Sequence, residues 1–262
     1  MVEAITFSTI IIPLLLTTLA GLSTGIGSAI AYMMKKPNLS YLSFFMGFSG
    51  GVMIYISFVE LLPSACEVIG QWWAVLGFFA GMMLTGAIDM IVPENENPHA
   101  SASSAVCKMS SAKRHLMHVG IFTAIAIGLH NLPEGLAAFT LAYSDMGLGL
   151  IIALAIAIHN IPEGIAVSVP IFCATGDRKK AFKYSFLSGV SEPVGGLMGF
   201  LLLAPFLSEW LISFLMVFVA GIMVYISVDK ILPAASNYNR GHTMIVGLVL
   251  GMMIMALSIL LM

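Results

Sequence analysis

Two hexapeptides carry most of the chemistry in this chain: "HNLPEG" at 130–135 and "HNIPEG" at 159–164, each inside a long apolar run. On a helix, His130 and Glu134 are four apart and share a face, as do His159 and Glu163; Asn131 and Asn160 lie three residues before the same glutamates. Each glutamate can therefore reach one ion beside its histidine and a neighbouring ion beside its asparagine. A third stretch, "SEPVGG" at 191–196, puts Glu192 in mid-span ahead of Pro193. An intramembrane carboxylate costs about 2.5–3.5 kcal/mol on insertion scales, more than helix-to-helix glue would warrant. Imidazole, carboxylate and amide oxygen together suit divalent transition metals, zinc and iron among them, better than calcium or an organic substrate. Pro133 and Pro162 each remove an amide donor and crowd the carbonyls of Leu129 and Ile158. Backbone opened in this way at membrane depth is tolerated only inside protein or beside a wet cavity.

The elements that must position these residues are membrane helices. Of 262 residues, 59% are hydrophobic and 9% charged, against about 25% charged in soluble domains. A spanning helix needs about 20 mostly apolar residues. Eight stretches qualify, at about 5–34, 41–64, 72–92, 116–142, 148–172, 182–204, 210–234 and 243–262, so the expected fold is an all-α membrane protein of eight transmembrane helices. The first begins "MVEA", acidic where a signal peptide is basic, and runs on past the length of a signal core; it reads as a retained helix. A turn at "YSDMG" (143–147) would bring the two hexapeptides to overlapping depths on antiparallel helices.

All eleven basic residues fall on one side of such a topology. Lys35 and Lys36 follow the first span, Lys108, Lys113 and Arg114 the third, Arg178, Lys179, Lys180 and Lys183 the fifth, Lys230 and Arg240 the seventh. The opposite loops hold Glu67, Asp145 and Glu209 and no base. The positive-inside rule then puts both termini outside the cytoplasm. No basic stripe exists that could grip nucleic acid. Cys66, Cys107 and Cys173 show no C-x-x-C spacing, which suggests neither a disulfide framework nor a thiolate zinc site.

The chain also repeats itself. Residues 46–65, "MGFSGGVMIYISFVELLPSA", match 216–235, "MVFVAGIMVYISVDKILPAA", at ten of twenty positions with an offset of 170. The same offset carries "GFFAGMM" (77–83) onto "GLVLGMM" (247–253), and "GLSTGIG" (21–27) resembles "GVSEPVG" (189–195) with a two-residue shift. Spans 1–3 thus pair with spans 6–8. The units start five spans apart and so point in opposite directions, a construction used by secondary transporters. Glycines four apart, such as Gly47/Gly51 and Gly247/Gly251, suit close helix approach.

Two copies of H-N-x-P-E-G in consecutive spans, with S-E-P in the next, resemble the signatures of the ZIP family of divalent-metal transporters, closest to its short bacterial ZupT-like branch. The resemblance covers essentially the whole chain. It implies a single transmembrane domain over 1–262 in a 3+2+3 arrangement: repeat one at about 5–92, a cytoplasmic loop at about 93–115, metal-site helices at about 116–172 and repeat two at about 182–262. It implies uptake of zinc, with iron, manganese, cobalt and cadmium as further ions, into the cytoplasm across a bacterial inner or plasma membrane. It also implies a two-metal centre. One site would use His130, His159, Glu134 and Glu163, the other Asn131, Asn160 and Glu192, with the glutamates of spans 4 and 5 bridging. The chain departs from the family in reading "DKILP" (229–233) where D-E-L-L-P is usual, and in lacking a long histidine run in its third loop.

That loop, polar and Ser-rich, carries Glu94, Glu96 and His99, with His115 and His118 just after it, and these could receive an exiting metal. Glu60, Asp89 and Asp229 lie near span ends, where charge is cheap, and are candidates for the entrance and exit. No resident cofactor is expected, and the partners are divalent ions and the bilayer; the oligomeric state stays open, a homodimer included. The competing classes are an intramembrane metallohydrolase and a passive channel. A zinc hydrolase of the H-E-x-x-H kind needs a general base where both hexapeptides carry asparagine.

Overall fold

The computed structural model describes residues 7–33, 39–91, 112–203, 206, 208–238 and 242–261; for some residues within these ranges only the backbone is described. Among them every regular element is helical. α1 spans Phe7–Met33. α2, Leu39–Ile56, continues through a π-helical turn, Ser57–Leu61, into α3, Leu62–Ile69, and α4 spans Gln71–Ile91. α5, Ala112–Ser144, and α6, Met146–Thr175, carry the hexapeptides, and α7 spans Arg178–Leu203. α8, Glu209–Ile226, passes through a second π turn, Ser227–Ile231, into α9, Leu232–Tyr238; α10, Thr243–Leu260, completes the set. Counting α2–α3 and α8–α9 as single rods, seven are long and apolar enough to cross a membrane, and α5, with 33 residues, is the eighth long helix. Large apolar side chains point outward along the rods, among them Leu19, Trp72, Met83 and Leu201. That is a surface for lipid, and the chain is a multi-pass membrane protein.

The rods sort into two groups of four. α1, α5, α6 and α7 pack on one another, while α2–α3, α4, α8–α9 and α10 form the second group. α6 against α2 and α5 against α8 join the two. The trios seen along the chain therefore do not pack as trios: α1 and α7 each leave their own repeat to enclose α5 and α6.

Glycine decides which rods touch, because removing Cβ lets one backbone meet another. A Cβ added at Gly51 would overlap the Leu248 carbonyl oxygen, and one at Gly251 that of Phe48. Shifting each of those four residues by 170 yields Gly221 against Phe78 and Gly81 against Phe218, and both overlaps are present. The α2·α10 contact is thus repeated in α8·α4. The offset of 168 behaves alike: Gly21 abuts the Gly189 carbonyl and Gly189 abuts that of Gly21, with α1 and α7 antiparallel. Inversion of the repeats follows from that antiparallel pair.

The two π turns also correspond at 170. The Leu62 amide donates to the Ser57 carbonyl and the Leu232 amide to that of Ser227, each a five-residue span. Pro63 and Pro233 follow at once. Lacking an N–H, each proline leaves the ordinary ladder unable to close, and the wider turn absorbs the register. Glycine with positive φ ends two other helices, Gly70 (φ 80°) after α3 and Gly176 (φ 68°) after α6.

Gly221→Ala is expected to cost about 1–3 kcal/mol of stability, the usual range for overpacking, read as a lower unfolding temperature of detergent-purified protein. Gly128→Ala, where the nearest atom to a new Cβ is Ser188 Cα at 3.9 Å, should leave that temperature unchanged.

Candidate metal centre

The hairpin of α5 and α6 builds the centre. Asp145 caps α6 by accepting from the Leu148 amide at 3.1 Å, and Gly149 lies so close to Ala142 that any side chain there would collide. The tight turn sets the two hexapeptides side by side, antiparallel. Neither Pro133 nor Pro162 ends its helix; both helices run on as single rods. His159 Nε2 then lies 3.2 Å from Glu134 Oε2. The ring's Nδ1–H donates to the Ala155 carbonyl at 3.1 Å, so a neutral imidazole turns its Nε2 lone pair toward a carboxylate oxygen. Two acceptors at that separation are reconciled by a proton or a cation between them.

Beside this pair lies a second cluster. Asn160 Nδ2 donates to the Ala20 carbonyl at 3.0 Å and to Glu192 Oε2 at 2.6 Å. Asn131 Nδ2 donates to the Ser188 carbonyl at 3.2 Å. The amide nitrogens are thereby committed, and the oxygens are left over. Asn131 Oδ1, Asn160 Oδ1 and Glu192 Oε1 are buried with no hydrogen-bond partner among the described residues. Orphaned acceptors of this kind are rare in folded proteins and ask for an explanation. Asn131, Glu134, His159, Asn160 and Glu192 are all fully buried, and Glu163 is 3% exposed.

The inverted repeat runs through this cluster. A Cβ at Gly27 would meet the Ile161 carbonyl and one at Gly164 the Thr24 carbonyl; on the other side, Gly195 meets Leu132 and Gly135 meets Glu192. The α1·α6 contact is therefore the counterpart of α7·α5, with α1 matched to α7 and α6 to α5. Ala20 and Ser188 correspond, and each carbonyl accepts one asparagine amide and one serine three residues on, Ser23 at 2.6 Å and Ser191 at 2.5 Å. His130 lies on α5 with only its backbone described.

Of the other candidate residues, Glu60 sits in the first π turn and accepts from Ser64 Oγ at 3.3 Å. Asp89, on the last turn of α4, takes a hydrogen bond from Lys230 Nζ, which also lies 3.0 Å from Asp229 Oδ2. Lys230 thus ties the second π turn to α4, which gives the departure "DKILP" a structural role. His99, Glu94 and Glu96 lie outside the described residues, and of His115 and His118 only the α5 backbone is described. Cys66 is a free thiol and Cys173 is disulfide-bonded, a cross-link the cysteine spacing does not announce. Among the described residues no three His, Cys, Asp or Glu side chains form a metal clasp by themselves.

A family profile described as "ZIP Zinc transporter" matches residues 91–259. The chain belongs to the ZIP family. Among its relatives, the zinc transporter ZupT of Nitratidesulfovibrio vulgaris is 51% identical over 263 residues, covering 94% of this chain and 95% of the relative. The ZupT of Lysinibacillus sphaericus is 52% identical over 258 residues (94% and 96%), and that of Streptococcus mutans 50% over 255 residues (94% and 96%). These relatives are named as transporters and not as enzymes. The family match begins at the end of α4 and takes in α5, α6 and α7, so the whole polar cluster falls inside the ZIP region.

The repeats also mark residues that a motif search passes over. Ser23 and the carbonyls of Ala20 and Ser188 belong to no metal-ligand pattern, yet the two carbonyls hold both asparagines in place while also accepting from Ser23 and from the Ser191 of S-E-P. If the orphaned oxygens face a cation, zinc should raise the unfolding temperature of this ZIP protein, since a ligand at 100 times its Kd adds about 2.7 kcal/mol. Glu192→Gln should abolish most of that rise in a thermal-shift titration.

Proposed function

We propose that the protein carries divalent metal, zinc first, into the cytoplasm of a bacterium through a two-ion centre built by α5, α6 and α7. The observation that carries this reading is the set of three buried acceptor oxygens, Asn131 Oδ1, Asn160 Oδ1 and Glu192 Oε1, that have no donor among the described residues. Beside them stand an imidazole and two further carboxylates, the donor types that suit zinc. One ion would be held by His130, His159, Glu134 and Glu163, the other by Asn131, Asn160 and Glu192, with Glu134 and Glu163 shared. Relatives at 50–52% identity, named zinc transporters, support zinc as cargo. Iron, manganese, cobalt and cadmium are cargo that the same donors would accept. Both termini would face outward, with Arg178, Lys179, Lys180 and Lys183 in the cytoplasm.

The geometry supports a carrier over an open channel. The space reaching Glu134 from the end of the hairpin turn is about 10 Å³, walled by Ile56, Leu141, Ile152, Met216 and Met223. That is room for about one water, between apolar side chains. It lies where α5 and α6 face α2 and α8, so metal would enter when the two groups of rods part there and leave when they part at the basic end. The hexapeptides offer no general base for hydrolysis beyond the glutamates that would bind metal, which argues against the enzyme reading.

Zinc uptake into proteoliposomes should fall at least tenfold in Glu134→Gln and in His159→Ala; parental rates in both would remove the proposed site. Binding requires unprotonated imidazole and ionised carboxylates, so protons compete with metal. The apparent affinity for external zinc should therefore weaken as the outer pH falls below about 6.5, the ordinary histidine value. An affinity unchanged from pH 7.5 to 5.5 would count against histidine ligation.

A further inference from the structure

We infer that Thr24 is a further residue of the metal centre, serving the half-site of Asn131 as Glu192 serves the half-site of Asn160. The inference rests on the two-ion reading above. α1 corresponds to α7 at an offset of 168, and at that offset Thr24 falls on Glu192. The match extends to contacts. A Cβ at Gly21 would lie 3.2 Å from Glu192 Cβ, and one at Gly189 would lie 2.8 Å from Thr24 Cβ. The Glu192 carbonyl abuts Gly135 and the Thr24 carbonyl abuts Gly164. Since Asn160 reaches Glu192 Oε2 at 2.6 Å, the same operation brings the Thr24 hydroxyl to the side of Asn131.

The hydroxyl itself behaves unlike its peers. Thr17, Thr18, Ser28, Thr85, Thr140 and Thr175 each return theirs to the carbonyl four residues back. That outlet at Thr24 would be the Ala20 carbonyl, which already accepts from Ser23 and Asn160. Thr24 is fully buried, and its Oγ1 has no hydrogen-bond partner among the described residues. A buried hydroxyl ordinarily finds one. Thr24 Oγ1 and Asn131 Oδ1 are orphaned oxygens of one half-site among the described residues, and one divalent ion would satisfy both.

The consequence is a centre whose two halves differ by one negative charge. The half-site at Asn160 has the Glu192 carboxylate; the half-site at Asn131 has a neutral hydroxyl in the matching place. Thr24 therefore stands on the uncharged flank of the ion assigned to Asn131, Asn160 and Glu192, and its oxygen contributes to that ion alone.

The test is zinc titration of the purified full-length protein in detergent, by calorimetry, on the parent, Thr24→Val, Thr24→Ser and Thr24→Glu. Thr24→Val, nearly the same shape, should weaken at least tenfold the zinc step that Glu192→Gln also weakens and leave the other step in place. Thr24→Ser should restore that step, and Thr24→Glu should tighten it at least tenfold. Because Oγ1 holds no partner, the metal-free unfolding temperature of Thr24→Val should equal the parent's, which separates ligation from a packing role. If Thr24→Val lowers that temperature and Thr24→Glu does not tighten zinc, Thr24 is structural and the inference fails. If Thr24→Val binds both ions as the parent does while Glu192→Gln and His159→Ala lose zinc, the assignment of Thr24 fails and the centre stands. If none of these variants alters zinc binding, the centre itself is lost.

Discussion

Three glutamates buried inside a membrane protein set the terms for everything packed around them. Glu134, Glu163 and Glu192 are at most 3% exposed, and each carries a cost of kcal/mol order for leaving water. Local neighbours repay part of it: His159 turns to Glu134 and Asn160 donates to Glu192. The asparagines are adaptors in this scheme. Asn160 donates both amide hydrogens, to the Ala20 carbonyl and the Glu192 carboxylate, Asn131 donates to the Ser188 carbonyl, and each is left presenting an oxygen. Aspartate would offer no hydrogens, and leucine neither group. The choice of asparagine beside each histidine thus turns outward-facing donors into an inward-facing set of acceptors, which is what a cation requires.

That adaptor works only at close range. Asn160 reaches the Ala20 carbonyl at 3.0 Å because α1 and α6 meet backbone to backbone through Gly27 and Gly164. Asn131 reaches Ser188 through the corresponding closeness of α7 and α5 at Gly195 and Gly135. The glycines of H-N-x-P-E-G are therefore part of the site, although they bear no chemistry: a side chain at either would separate the helices and withdraw the carbonyl its asparagine needs. The group of α1, α5, α6 and α7 is held together by the same contacts that make the centre.

The sequence displayed the helices, their number and the polar cluster clearly, because apolar length and misplaced charge are local signals. All eight expected spans have a helix in place, and the glutamates of both hexapeptides and Glu192 are drawn into one buried region. How the spans group was not legible. Lipid-facing and protein-facing residues are both apolar in such a chain, so Leu19 and Met53 look alike in sequence, yet one is 62% exposed and the other fully buried. The trios suggested by the repeats dissolve in the fold for that reason. Thr24 was hidden differently. The comparison of "GLSTGIG" with "GVSEPVG" already aligned it with Glu192, but a threonine in an apolar helix ordinarily bonds its own backbone, and only the occupied Ala20 carbonyl reveals that this one does not.

The repeats are close to equivalent in their glycine contacts and π turns and unequal in their charges, and the inequality is where direction can enter. A fold with two matching halves offers two alternative closures of similar energy, one at each end. Charge breaks the match inside the second group of rods. The position of Glu60 in the first π turn is held in the second by Lys230, which ties itself to Asp89 on α4 and to Asp229. Glu60 has only Ser64 of its own rod to accept from among the described residues. The ion pair of Lys230 therefore lies inside the second group of rods, and among the described residues Glu60 makes no matching pair. Within the centre, Thr24 against Glu192 makes a second inequality of one charge. Near-symmetry in backbone contacts and inequality in charge thus coexist, and an alternating carrier of the kind proposed would not have two states of equal energy.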